Sequence, residues 1–216
     1  MNTVPEPSDN WAAIEGAPPT WIPLIPDFTG TPWADRAGYA RQAAEWVWLA
    51  IGSQQPQDAA SREQHVERLT TVILDAYESL SGKVLAHQTF LYIPGPEAPP
   101  LPALLGIWKS AGARDERLRY LAGADGHDAI QPPDVEEFST EHLGSGLRVF
   151  SVSKPDEDSA ELMGTLAYAF RSEAYQTDIQ LRAPSYDLGL LQACADDVDE
   201  FARCIFVTPA PGAARG

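Results

Sequence analysis

The chain has 216 residues, 44% of them hydrophobic, enough to build a sizeable core in one large domain or two small ones. Its formal net charge is −16, with 15 Lys and Arg against 31 Asp and Glu. That balance argues against bare nucleic acid and anionic membrane as partners, since both need a positive footprint, and it suits a basic protein partner.

Residues 1–30 carry six prolines, Pro5, Pro7, Pro18, Pro19, Pro23 and Pro26. That density opposes regular helix and central strand. Trp11, Ile14, Trp21, Ile22, Leu24, Ile25 and Phe28 are embedded among them, and a disordered tail has few such residues. The expectation is an extended N-terminal arm over 1–30 that packs its aromatics on the domain, with Met1 to Asn10 loose. Pro23-Leu24-Ile25-Pro26 fits a proline-rich ligand pattern, and an ordered cover over the core explains it too. Met1 to Asn10 holds no Lys, Arg or apolar run, so no Sec signal peptide is expected. No stretch approaches the roughly 20 apolar residues of a membrane span. A soluble, cytoplasmic protein is the expectation.

Thr31-Pro32 predicts a helix start, a capping hydroxyl followed by proline in the first turn. Trp33, Ala37, Ala40, Ala44, Val47, Trp48 and Ile51 form its apolar stripe, opposite Arg41, Gln42 and Glu45. A Gly52–Pro56 connection leads to a second helix, Gln57 to Ser81, with the stripe Val66, Leu69, Ile73, Ala76 and Leu80 and a C-cap at Gly82. So short a connection predicts an antiparallel helical hairpin. Val84 to Ile93 reads as a strand stopped by Pro94, and Ala103 to Lys109 as the returning strand. Ala113 to Ala122 is a short charged helix. Gly123 to Asp134 is a loop, and Val135 to His142 a further strand or an irregular segment.

The most legible stretch is Leu143 to Val207. A glycine turn, Leu143-Gly144-Ser145-Gly146, precedes a strand from Leu147 to Ser153. A charged tip, Lys154 to Ser159, returns the chain as Leu162 to Arg171. Tyr175, Thr177, Ile179 and Leu181 alternate with Gln176, Asp178, Gln180 and Arg182, the period of a strand with one buried face. Pro184 ends that strand and Ser185 stands where a helix cap belongs. Leu188, Leu191, Ala195, Val198, Ala202 and Ile205 step by three and four, which predicts one amphipathic helix lying on the sheet. Burial of its large apolar residues contributes about 1.5–3 kcal/mol each. Cys194 and Cys204 on such a helix are about 15 Å apart, beyond the roughly 7 Å a disulfide spans. The tail 208–216 is expected to be flexible.

Chemistry leaves little trace. Asp125-Gly126-His127-Asp128, with Asp134, Glu136 and Glu137, is the densest set of ligand-type residues, but its spacing matches no calcium loop. His65 and His87 lie in a helix and a strand as packing residues do, and His142 adjoins the glycine turn without a nameable nucleophile. No G-x-S-x-G, H-E-x-x-H, C-x-x-C or phosphate-binding P-loop occurs, and Gly144-Ser145-Gly146 is too short for a phosphate cradle. No catalytic residue, metal ligand or cofactor is assigned.

Leu143-Gly144-Ser145-Gly146-Leu147-Arg148-Val149 and Asp196-Asp197-Val198-Asp199-Glu200-Phe201-Ala202-Arg203 resemble uncharacterised proteins of actinobacteria, over the last third of the chain. The order of helix, antiparallel strands and closing helix is similar to the PsbP-like α/β sandwich. That resemblance implies a fold and carries no activity or site residue.

The fold expected is a single α+β domain over 31–207, an antiparallel sheet of five or six strands with an N-terminal helical hairpin and a C-terminal helix packed on it. The function expected is a non-catalytic accessory or binding protein that engages another protein. A metal-dependent or hydrolase-like enzyme using the acidic loop 125–137 is one alternative, and a structural subunit of a phage or secretion assembly another. If Leu162, Leu166, Tyr168 and Phe170 point inward, Thr165, Ala167, Ala169 and Arg171 point outward beside Gln176, Gln180 and Arg182. The partner-binding residues expected from this are Arg171, Arg182, Thr165 and Gln180.

Overall fold

Alternation of apolar and polar residues in the C-terminal half dictates adjacent strands, and a computed structural model arranges them into a sheet. The structure describes residues 6–51, 59–80, 86–95, 97–156 and 159–209. The strands are β1 (Trp11–Ile14), β2 (Trp21–Pro23), β3 (Gln88–Tyr92), β4 (Leu101–Lys109), β5 (Asp134–Thr140), β6 (Gly144–Ser153), β7 (Met163–Ser172), β8 (Thr177–Ser185) and β9 (Ile205–Thr208). The helices are α1 (Arg36–Ile51), α2 (Ala59–Leu80), α3 (Arg114–Ala122), α4 (Leu188–Ala193) and α5 (Ala195–Arg203). The expected connection at Gly52–Pro56, the helix start at Gln57, Ser81, the cap at Gly82 and the strand start at Val84 lie outside the described residues. So do Met1–Pro5 of the arm, Glu157 and Asp158 of the tip, and residues 210–216 of the tail.

The chain is α+β. One sheet of seven strands has the order β2-β3-β4-β8-β7-β6-β5, and a second sheet pairs β1 with β9. The main sheet is larger than the five or six strands expected because the proline-rich arm contributes to pairing. Pro23 fits because β2 is an edge strand, where a missing N–H leaves no ladder bond unmade. Contacts divide the chain into two compact units, one of Pro18–Ala103 and one of the residues up to Ala17 with those from Leu104 on.

In the unit of Pro18–Ala103, α1 and α2 close over the β2 and β3 strands. Ile22, Leu24, Tyr39, Ala43, Val47, Val66, Leu69, Ile73, Tyr77, Leu91 and Ile93 form its buried core. The expected cap at Thr31 is corrected. Thr31 closes a turn onto the Phe28 carbonyl, and Asp35 caps α1 by accepting the Gly38 amide at 2.8 Å. Tyr39, absent from the expected stripe, is buried and donates its hydroxyl to the Pro23 carbonyl at 2.6 Å. Leu24 and Ile25 of the proline-rich motif bond to the Thr89 carbonyl and the Tyr77 hydroxyl, so they serve this core.

In the other unit, β4, β8, β7, β6 and β5 pair antiparallel in that order. Phe138, Tyr168 and Phe170 face α5, while Val149 and Ala169 face α3 through Leu118 and Leu121. Helices on both sides bury every residue of β7 from Gly164 to Arg171. Gly106 lies inside β4 because the Trp108 ring occupies the space of its side chain, a Cβ there meeting ring carbon at 2.9 Å.

Four further expectations are corrected. The β7–β8 turn is Glu173–Gln176, so Tyr175 and Gln176 belong to the turn. Strand β8 runs through Pro184, which pairs with Thr165 of β7 beyond the last β4 partner, Arg182. Ser185 accepts the Asp187 amide, and Asp187 is the helix cap, its carboxylate accepting the Leu190 amide at 2.9 Å. The single C-terminal helix is two helices broken at Cys194, and Ile205 lies in β9 rather than on a helix.

Candidate functional site

Strand β7 places Thr165, Ala167, Ala169 and Arg171 on one face and Leu166, Tyr168 and Phe170 on the other, as the alternation requires. The first row does not face solvent. Thr165, Ala167, Ala169 and Arg171 are all buried. The Gln180 side-chain amide donates to the Leu121 carbonyl of α3. Of the four residues expected to bind a partner, Arg182 alone is exposed. The outward patch is corrected because small side chains on a sheet admit a close-packed helix, and α3 occupies the place of the partner.

Under α3 lies a closed ionic network. Arg171 and Asp178 are opposed across the β7–β8 ladder, and the Asp178 side chain is 0% exposed. Arg171 donates from Nε to Oδ1 at 2.6 Å and from Nη2 to Oδ2 at 3.2 Å. Arg117 of α3 donates from Nε to Oδ2 at 3.1 Å, and the Ser110 hydroxyl reaches Oδ1 at 3.1 Å. The Arg171 guanidinium also donates to the carbonyls of Ala111 and Gly112. Its hydrogen bond to Asp178 pushes the guanidinium pKa above its ordinary value. A carboxylate with four donors has no lone pair aimed at a substrate, so the network fixes α3 to the sheet.

A second network lies under α5. The Tyr168 hydroxyl donates to Asp199 Oδ1, which also receives Arg148 Nε at 2.9 Å. Arg148 Nη1 reaches Glu136 of β5 at 3.0 Å. Burial first, then the hydrogen bond to Asp199, pushes the Tyr168 phenol above its ordinary pKa. Arg203 of α5 stacks over the Phe138 ring at 4.7 Å.

The acidic loop does not converge. Asp125 Oδ1 accepts Arg119 from Nε at 3.0 Å and Nη2 at 2.7 Å, His127 and Asp128 are exposed, and Glu136 belongs to Arg148. Among the described residues no group of three or more His, Cys, Asp or Glu is placed to hold a metal ion. His65 stacks on Trp48 at 4.8 Å with Nδ1 2.7 Å from the Ser61 carbonyl. His87 is half-buried, which lowers its pKa, and His142 tilts against Phe206. Cys194 and Cys204 are free thiols.

Two exposed surfaces stand out among the described residues. On α1, Trp46 is 39% and Leu49 63% exposed, beside exposed Ala50 and Gln42. Trp33 meets the Trp46 ring edge-on at 5.9 Å and donates its indole N–H to Gln42 at 2.6 Å, so an aromatic pair is held in place on the outer face of α1, beside the Arg41–Glu45 ion pair. The sequence leads one to expect Trp46, with the other tryptophans, to fill the core, and its exposure beside Leu49 corrects that expectation. The other surface is β5, the last strand of the main sheet. Its register with β6 is one-to-one over seven residues, and Asp134, Val135, Glu136, Glu137 and Ser139 are exposed. Among the described residues no strand pairs its outer edge.

No protein-family model matches the chain, and no curated protein matches it. No helix among the described residues is long and apolar enough to cross a membrane.

Proposed function

We propose that this protein is a non-catalytic binding protein whose ligand is another protein. The observation that carries the reading is the exposed apolar patch of α1 at Trp46 and Leu49. Exposed apolar residues grouped on one face mark interaction surfaces, and tryptophan is enriched among the residues that dominate binding energy. The Arg41–Glu45 ion pair borders the face one turn before Leu49, so its contact is an apolar patch with a charged rim. The net charge of −16 favours a partner with a basic surround, which speeds encounter by long-range attraction. We place the encounter in the cytoplasm, a reading that the free thiols Cys194 and Cys204 suit.

The test compares the wild-type chain with the double variant Trp46→Ala, Leu49→Ser in affinity capture from the native host, followed by direct binding of the captured protein in purified form. Support is a partner that binds the wild type and is lost from the variant, while circular dichroism and Tm stay near wild type. An unchanged captured set ends the reading.

A further inference from the structure

We propose that the outer edge of β5 is a docking site for an extended segment of another protein in which Lys or Arg alternates with apolar residues. This surface is separate from the α1 face, and neither proposal depends on the other.

An edge strand presents unpaired N–H and C=O groups that an incoming strand completes. Strand β5 is well formed for this. It keeps one-to-one register with β6 from Asp134 opposite Phe150 to Thr140 opposite Gly144, without the bulge that twists many edges out of use. It contains no proline. Inward-facing Phe138 and Thr140 are buried and hold the strand against the sheet.

The side chains select the occupant. Asp134 and Glu136 lie on one face of the strand, Val135, Glu137 and Ser139 on the other. Cationic side chains on the first face of a visiting strand meet Asp134 and Glu136. An apolar side chain on its second face meets Val135, which is 36% exposed. Arg148 already neutralises Glu136, so Asp134 is the carboxylate left to the visitor on the face its cations meet, while Glu137 stands beside Val135 on the other face. A second copy of this chain is disfavoured at the edge, because carboxylate would face carboxylate across the new ladder and like charges opposed on a sheet destabilise it.

The test uses the full chain and the peptide Ac-Lys-Val-Lys-Val-Lys-Val-Lys-NH2, by calorimetry, with two versions N-methylated on one or the other set of alternate amides. The expected result is stoichiometric binding that weakens about fivefold or more in Asp134→Lys, is no weaker in Glu137→Gln, and is lost with one methylated peptide but not the other. Amide hydrogen exchange should slow across β5 on binding. The Trp46→Ala, Leu49→Ser variant should bind the peptide as wild type does, so failure here and failure at α1 read separately. No binding overturns the proposal. Binding that tolerates both methylated peptides also overturns it, since it then reports ionic adsorption without strand pairing. Unchanged circular dichroism and Tm in the charge variant exclude misfolding as the cause of a loss.

Discussion

The Asp178 carboxylate lies 2.6 Å from Nε of Arg171, its direct partner across the β7–β8 ladder, beneath a helix that hides it completely from water. The pair, joined by Arg117, anchors α3 to the sheet.

Removing one member of such a pair leaves an uncompensated buried charge. Asp178→Ala should destabilise the chain by about 3–5 kcal/mol, read from urea unfolding followed by tryptophan fluorescence. The paired replacement Arg171→Met with Asp178→Leu should recover only part of that loss, because Arg117 loses its carboxylate and the Ala111 and Gly112 carbonyls lose their donor. A single variant within about 0.5 kcal/mol of wild type would show that the network is incidental.

Gly146 of β6 sits where a Cβ would meet the Ala169 carbonyl oxygen and Cδ1 of Phe170, both at 2.4 Å. The obstacle is backbone on one side, so the site cannot relax by rotating a side chain. Gly146→Ala should lower stability by about 1–3 kcal/mol and Gly146→Val by more. The same changes at Gly144 test a different cause, since it has open space but a φ of 71°. Differential scanning calorimetry of both series separates overpacking from backbone strain.

Leu191 of α4 and Trp48 of α1 are nearly fully buried, as their helical stripes require. Leu191→Ala should cost about 2–5 kcal/mol through lost transfer energy and a cavity. Leu49→Ala, on the exposed face of α1, should change stability by less than about 0.5 kcal/mol. Urea midpoints for the two variants check the contrast.

Tyr39, Tyr77 and Tyr168 are raised above the ordinary tyrosine pKa of 10.0 chiefly by burial, Tyr77 to about 12. A group whose folded pKa exceeds its unfolded value stabilises fully below the unfolded value and loses that contribution as pH rises through the folded one. Stability should therefore fall as pH climbs past 10.0 toward the folded values. In an absorbance titration these three phenols should stay protonated at about pH 11 and ionise on unfolding. Tyr168→Phe should remove amplitude from the late phase and leave the early phase unchanged.

What the sequence disclosed follows from how local each signal is. Leu147–Ser153 and Leu162–Arg171 anticipate β6 and β7 closely because alternation and a charged tip lie within the segments themselves. The cover over β7 is not local. Ala167 and Ala169 read equally as an outward face or as room for a helix, and the choice rests on Leu118 and Leu121, about fifty residues earlier, needing a sheet to bury against. The Arg171–Asp178 pair became visible only once the turn was placed at Glu173–Gln176, which sets them opposite each other. Strand β9 was hidden because Ile205 keeps the helical phase of Val198 and Ala202, and four residues of alternation are too few to outweigh it. The α1 face was missed because periodicity marks what is buried and is silent on which leftover apolar residues cluster outside.

The β1–β9 pairing has a mechanical consequence. Trp11 lies opposite Thr208, and Ile14 opposite Ile205. The flanks leading into this ribbon therefore leave it at the same end, so tension on both flanks acts across the ladder, not along it. Such a load opens one rung at a time, Trp11 from Thr208 first and Ile14 from Ile205 last. Strands pulled lengthwise would instead share the force among all their hydrogen bonds. The ribbon is a zipper, but its N-terminal flank is pinned to β4, where Lys109 N donates to the Glu6 carbonyl and Ser8 N to the Ile107 carbonyl, so a load applied ahead of Glu6 meets the main sheet before the ribbon.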